Sequence, residues 1–319
     1  MSYSTIDPGA HHTWLGNEVA VATHLAYSND AGLTWRDLGR TAIAAYGVDA
    51  SLGWPAEIHG IWMSEVSRLV YDPGALPAER WKLISLRYPE VGSARRFEFA
   101  WFAYKVAATP EALVDAVEVK LLAGSLADPD LLKFEHAIQA PAFGEPLLSL
   151  TDFGLNCVPS EPTLYATTTA LYLGFACVNV DTGVGSVELL SCASPCDPAT
   201  WQYRGALLDS VRSLQSGGDL GYSAPDLFTH NNRLLLSVTP QRSAPFAGFY
   251  DGCDIFAVED LNSAKVSTVP LQHLTGIAGS FHGACTYHDA TPALGILYSQ
   301  LAPNNVELFH LFASGVTPP

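Results

Sequence analysis

The sequence predicts an all-β fold, a five-bladed β-propeller of four-stranded antiparallel blades with few short helices. Three observations lead there. A pattern of apolar run, polar turn and returning apolar run recurs along the chain, often with a Trp opening the return, which is the signature of a β-hairpin. Between several copies lies a further strand introduced by a small or polar residue and then an acid or His. Four strands repeated in this way mark sheets that bury their faces against neighbouring sheets around a ring. With 319 residues, 48% hydrophobic and only 15% charged, the chain can supply the core that such a ring needs.

The hairpins follow in order. Val19 to Tyr27 leads through a polar turn into Trp35-Arg36-Asp37-Leu38. Ser67 to Tyr71 turns through Asp72-Pro73-Gly74 and returns as Trp81 to Leu86, and Phe99 to Val106 returns as Val117 to Leu122. Val187 to Ser191 returns as Trp201 to Arg204, Asp254 to Val258 as Lys265 to Val269, and Leu294 to Ser299 as Val306 to Leu311. The strands between them carry Ser64-Glu65-Val66, Ser160-Glu161-Pro162-Thr163, Ala224-Pro225-Asp226-Leu227 and Phe281-His282-Gly283-Ala284, and read as inner strands. The repeats divide a single domain, 1–319, into blades over roughly 1–50, 51–130, 155–215, 220–272 and 276–315. The second blade then holds two of the hairpins. Short helices fit only Glu111 to Val119 and Pro129 to His136. The competing arrangement is a β-sandwich, which also shows regular short strands.

Charge and cysteine content narrow the function classes. Sixteen Lys and Arg against 32 Asp and Glu give a net charge of −16, which excludes nucleic acid as a default partner. No apolar stretch reaches the ~18–20 residues of a membrane helix. The first eight residues carry no basic segment followed by an apolar one, so no secretory signal is visible, and export of a natural precursor stays open. The six cysteines, Cys157, Cys177, Cys192, Cys196, Cys253 and Cys285, lack the spacing of a zinc site and read equally well as disulfides or as buried thiols. Cys192 and Cys196 could close a small loop.

Ser28-Asn29-Asp30-Ala31-Gly32-Leu33-Thr34-Trp35 matches S-x-D-x-G-x-T-W, the Asp box of sialidases and other propellers. Asp30 can accept turn N–H bonds, Gly32 permits a positive φ, and Trp35 is expected to pack between sheets, so Ser28, Asp30, Gly32 and Trp35 read as a structural element. Ser194 to Trp201 is a degenerate copy with Pro at the Gly position. The order of motifs, with Glu161-Pro162-Thr163 opening one blade, Ala224-Pro225-Asp226 the next and His282-Gly283 the last, resembles the five-bladed glycoside hydrolases of family 43 and relatives. By that resemblance Glu161 matches the general acid. A carboxyl before Pro162 at the start of an inner strand would point into the central funnel, where burial raises its pKa as proton donation requires.

A second carboxylate must activate water or attack the anomeric carbon. Glu65, Asp226 and Asp7 are the candidates, each equally readable as a turn or capping acid. The family supplies its base as an Asp early in the first blade, where this chain has only Asp7-Pro8 before His11-His12-Thr13-Trp14. His282 resembles the last-blade His that faces the channel, and Gly283 beside it would allow close backbone approach. His12 and Trp14 suit a sugar-binding rim, and Trp62 and Trp101 are the candidate pocket aromatics, with core packing the ordinary alternative for Trp101.

The reading that follows is a hydrolase acting on a sugar glycoside or polysaccharide through paired carboxylates. It needs no cofactor and no protein metal ligands, and leaves room for a structural Ca2+ in the central channel. Its partner is carbohydrate; nucleic acid and membrane insertion are not expected, and the oligomeric state stays open. Two rivals stand beside it. A sialidase-like hydrolase would need an arginine cluster, for which Arg68, Arg233 and Arg242 exist, and a Tyr nucleophile paired with Glu. A non-catalytic propeller binding glycans or a protein would have lost its early Asp. No P-loop, dinucleotide fingerprint, nucleophile elbow or His-Glu-x-x-His motif appears.

Overall fold

The structure is a computed structural model that describes residues 1–7, 13–14, 17–18, 20–42, 45–47, 60–91, 94–95, 97, 100–124, 145–216, 218–242, 249–274, 282–289, 291–302 and 305–319. For Asp7, Trp14, Trp62 and His282 the description covers the backbone only, and His12 lies outside it. Strands dominate. The first meander contains β1 (Ser2–Asp7), β4 (Ala20–Tyr27) and β5 (Arg36–Ala42), with a two-stranded ribbon of β2 (Thr13–Trp14) and β3 (Asn17–Glu18) between. The second runs β6 (Ala45–Gly47), β7 (Gly60–Tyr71), β8 (Trp81–Val91), β10 (Trp101–Ala107), β11 (Val119–Ala123) and β12 (Leu148–Ser149), with β9 (Ala94–Arg95) on β8. The third is β13 (Cys157–Ala166), β14 (Ala170–Asn179), β15 (Gly185–Ala193) and β16 (Gln202–Leu208). After helix α1 (Ser210–Ser216) the fourth meander, joined to the third in one ten-stranded sheet by the parallel Gly185–Gly221 bridge, is β17 (Gly221–His230), β18 (Arg233–Arg242), β19 (Phe249–Tyr250), β20 (Cys253–Asp260), β21 (Lys265–Val266) and β22 (Gln272–Leu274). The last is β23 (His282–Thr286), β24 (Leu297–Ala302) and β25 (Asn305–Ala313).

The cores lie between consecutive sheets. Leu25 meets Leu83, Ala107 and Leu113 between the first and second. Met63, Leu86 and Phe102 of the second pack with Leu164, Leu173 and Phe175 of the third. Val187 and Leu189 then pack with Leu236 and Phe256, and Leu235 and Ile255 with Cys285 and Ile296. Opening strands β1, β7, β13, β17 and β23 touch in sequence. A sandwich would place one core between two sheets, so this serial arrangement identifies an all-β propeller and removes the sandwich alternative.

The turn Ser28 to Trp35 locks itself. Asp30 accepts from Thr34 N at 2.9 Å, from Thr34 Oγ1 at 2.6 Å and from Ser28 Oγ at 2.8 Å, and Trp35 Nε1 donates to Gly32 O at 2.9 Å. Gly32 sits at φ +86°, and a Cβ there would fall 2.9 Å from Thr291 Cγ2 and 3.2 Å from Leu294 Cδ1, so the first meander rests on the last. Trp35 departs from expectation: it is 42% exposed, because its ring folds back over its own turn instead of entering a sheet interface. The Thr34 bonds hold the Asp30 pKa down to about 2. Ionised Asp30 therefore stabilises the fold above its ordinary value near 3.8, and that contribution fades as pH falls toward about 2. Asp30→Asn should lower the Tm at neutral pH and converge with the parent in acid; a deficit independent of pH in thermal melts would refute the account.

Other local expectations shift. Glu111 to Leu113 forms only a 3-10 turn, and the proposed helix at 129–136 lies outside the described residues. The α-helix found among the described residues, α1, is not one that the sequence predicts. The six cysteines form three disulfides, Cys157–Cys177, Cys192–Cys196 and Cys253–Cys285, the last joining β20 to β23 across two meanders.

Candidate active site

A single backbone device recurs in four opening strands. In each, three residues of the opening strand span the distance of two on its neighbour: Glu65 to Arg68, Ser160 to Thr163, Ser223 to Asp226 and Gly283 to Thr286. Inside each bulge one residue has positive φ: Val66 (+44°), Glu161 (+50°), Ala224 (+45°) and Ala284 (+50°). For residues with a Cβ this is a strained conformation costing about 1–3 kcal/mol. The bulges turn side chains that strict alternation would send into the sheet interfaces. They also correct the sequence reading, because Glu161 lies in mid-strand at a bulge and not at the strand's start. Pro162 is tolerated there because the ladder is interrupted. In the last strand Gly283 is needed for close approach: a Cβ would meet Thr239 Cγ2 at 2.4 Å. Ala284 N donates to Thr239 Oγ1 at 2.7 Å.

Glu161 stands at the centre of this arrangement. It is 7% exposed. Oε2 accepts from Ala224 N at 2.6 Å, and Oε1 accepts from the Tyr250 hydroxyl at 2.5 Å. Burial nevertheless dominates and pushes the Glu161 pKa up, with the Glu65 charge adding to the rise against those two hydrogen bonds. Tyr250 is also pushed up, by burial and then by the charge of Glu161, so its phenol keeps its proton. Glu65 is half-buried and has no hydrogen bond or cation partner among the described residues. The sheltered Glu161 carboxyl thus lies within the field of a second carboxyl, Glu65.

Asp226 is placed differently. Its Oδ1 accepts from Thr163 Oγ1 at 2.9 Å and pairs with Arg68 Nε at 2.8 Å, and it is 4% exposed. Both contacts fall on Oδ1, so Asp226 serves as an anchor joining β7, β13 and β17. Trp101 is a correction: at 0% exposure, with the Arg87 guanidinium 6.0 Å and the Lys120 ammonium 5.5 Å from its ring, it belongs to the core and offers no face to a sugar. Trp62 and His282 lie on opening strands β7 and β23, Trp14 on β2 and Asp7 at the end of β1, all by backbone alone. Tyr250 is the neighbour of Glu161 that the sequence does not announce. It lies 89 residues from Glu161 in a two-residue strand, and no local pattern announces it.

Among the described residues no three His, Cys, Asp or Glu side chains converge as metal ligands would. No described helix is long and apolar enough to cross a membrane.

No family model matches this sequence, and no curated protein does. Solved structures resemble it at low identity. A thermostable family-43 glycoside hydrolase is 10% identical over 98% of this chain and 83% of that one, with a TM-score of 0.48. The Penicillium chrysogenum α-L-arabinanase complexed with arabinobiose is 12% identical over 92% of this chain and 70% of that one, at 0.45. Sucrose-6-phosphate hydrolase from Lactobacillus gasseri is 17% identical over 90% of this chain, at 0.45, and the match spans 49% of that protein's length. These likenesses are at a distance that leaves the chemistry of this chain to be argued from Glu161 and its neighbours.

Proposed function

We propose that this chain is a single five-bladed propeller domain that hydrolyses a sugar glycoside or polysaccharide, with Glu161 as proton donor and Glu65 as second carboxylate. The observation that carries the reading is the sheltered, strained Glu161 with its raised pKa beside the uncompensated Glu65. The Glu161 proton passes to the glycosidic oxygen as its bond to the anomeric carbon breaks. Glu65 then either attacks that carbon or takes a proton from the attacking water, the separation of the two carboxyls deciding which. Asp226, held by Arg68, fixes the strands that carry both groups. His282, Trp62, His12 and Trp14 remain candidates for the sugar-binding rim. No step in this reading uses a metal ion. Three disulfides favour an oxidising compartment, and thus an exported form.

One observation favours a sialidase-like second reading: the Tyr250–Glu161 hydrogen bond is the Tyr and Glu pairing that it needs. Against it, Tyr250 is pushed away from the phenolate, and Arg68 and Arg242 are already paired, with Asp226 and Asp251. A screen of aryl α- and β-glycosides, an aryl sialoside and polysaccharides tests these readings. The expected result is turnover of a neutral glycoside that Glu65→Gln lowers at least about 100-fold. Turnover of the sialoside alone, abolished by Tyr250→Phe, would install the second reading. No turnover with ligand-induced thermal stabilisation would leave a non-catalytic glycan-binding propeller.

A further inference from the structure

A polar cavity lies away from Glu161, between the third and fourth meanders. Its volume is about 480 Å³, within the range of small-molecule sites. Arg204 of β16, Tyr172 of β14, Ser191 of β15, Thr200, Gln202 and the turn residue Asn262 line it. The β13–β14, β15–β16 and β20–β21 turns all fall at this end of the sheets. Glu161 lies five residues before the end of β13, roughly 17 Å along the strand from that end.

Arg204 gives the cavity its character. Its Nε donates to the buried Ser191 Oγ at 2.6 Å, which holds the guanidinium in place. No carboxylate pairs with it among the described residues, although the chain carries a net charge of −16. The acid whose field reaches this cavity is Asp260, which raises Tyr172. That carboxylate is occupied within its own turn by Asn262 N at 2.9 Å and Ser263 Oγ at 2.5 Å, and the Lys265 charge further lowers its pKa. Tyr172 keeps its proton, since burial outweighs the opposing Arg204 charge, and donates to Asn262 Oδ1 at 3.4 Å. The free fork nitrogens of Arg204 are thus joined by hydroxyl and amide groups. A guanidinium fork binds a planar carboxylate at two points, and the surrounding hydroxyls and amides suit a polyol attached to it.

We infer that this cavity binds the carboxylate of a sugar acid, a uronate unit, independently of the Glu161 site. The inference rests on the carbohydrate reading only for the choice of a sugar acid over other carboxylates. The probe is D-glucuronate, with D-glucose and inorganic sulfate as controls, titrated calorimetrically into the parent, Glu161→Gln, Arg204→Gln and Arg204→Lys. Glucuronate should bind the parent and Glu161→Gln with equal Kd, and Arg204→Gln should weaken binding roughly 10–100-fold, the worth of a charge-assisted hydrogen bond. Arg204→Lys keeps the charge but loses the fork, and should weaken binding several-fold even if the Gln variant fails to fold. Glucose should not compete. Absence of glucuronate binding, unchanged affinity in Arg204→Lys, or sulfate binding as tightly as glucuronate would each overturn the assignment. Loss of binding in Glu161→Gln alone would move the ligand to the funnel and overturn it too. Glycosidase failure with glucuronate binding intact would sink the proposed hydrolase and leave this site standing.

Discussion

Glu161→Gln should lower kcat on an aryl glycoside with a poor leaving group by roughly 10²–10⁴-fold, the usual contribution of a positioned general acid. The amide keeps the shape and can still accept from Ala224 N or Tyr250, so folding should survive. A leaving group that departs without protonation should suffer less, and that contrast separates lost acid catalysis from lost binding. Because burial raises Glu161 above its ordinary value of 4.5, the parent should stay active to higher pH than an exposed carboxyl allows and then lose activity as pH rises through the raised value. The variant should lack that alkaline limb. The same shift has a stability sign. The folded state holds a proton that the unfolded chain releases, so stability is greatest below about 4.5 and falls as pH rises toward the raised value. Denaturant titrations of parent and variant on either side of this window measure that slope directly. Undiminished turnover by Glu161→Gln would end its assignment as the acid.

Replacing Cys253 and Cys285 together by Ser should produce the largest loss of stability available from any disulfide in the chain. The bond closes a separation of 32 residues, against 20 for Cys157–Cys177 and 4 for Cys192–Cys196. On chain-entropy grounds its removal costs about 4 kcal/mol, and that of the shortest bridge about 2. A Tm lower by roughly 5–10 °C is expected for a chain of this size. Geometry sharpens the expectation. Cys253 and Cys285 lie in the core that Phe228, Leu235, Ile255 and Ile296 build between the fourth and last meanders, and the bond holds the last meander to its neighbour. Local unfolding should therefore begin there, with amide exchange rising first in β23 and β24. A double variant that melts like the parent would show that the apolar contact alone holds this interface.

The hairpins were legible because alternation and turn chemistry are local. Asp30, Gly32 and Thr34 meet within one turn, and the four opening-strand motifs carry their small and acidic residues in plain view. Glu161 could be singled out for that reason. The bulge could not, since a φ of +50° at a Glu follows from how β13 meets β14 and carries no composition mark. Trp101 looked like a pocket aromatic because sequence cannot tell which face of a strand is covered; packing of the second meander settled it. Asp226 looked as free as Glu65 until Arg68, distant in sequence, was brought to 2.8 Å. Tyr250 on Glu161 is of the same kind, a contact between meanders at a sequence separation of 89. The sequence alone determined the all-β meanders and the self-locked turn, because each depends on neighbours a few residues away. Only the tertiary structure decided which carboxylates are free, which are paired and how the cysteines join, because those follow from burial and from charges that the folded ring brings together.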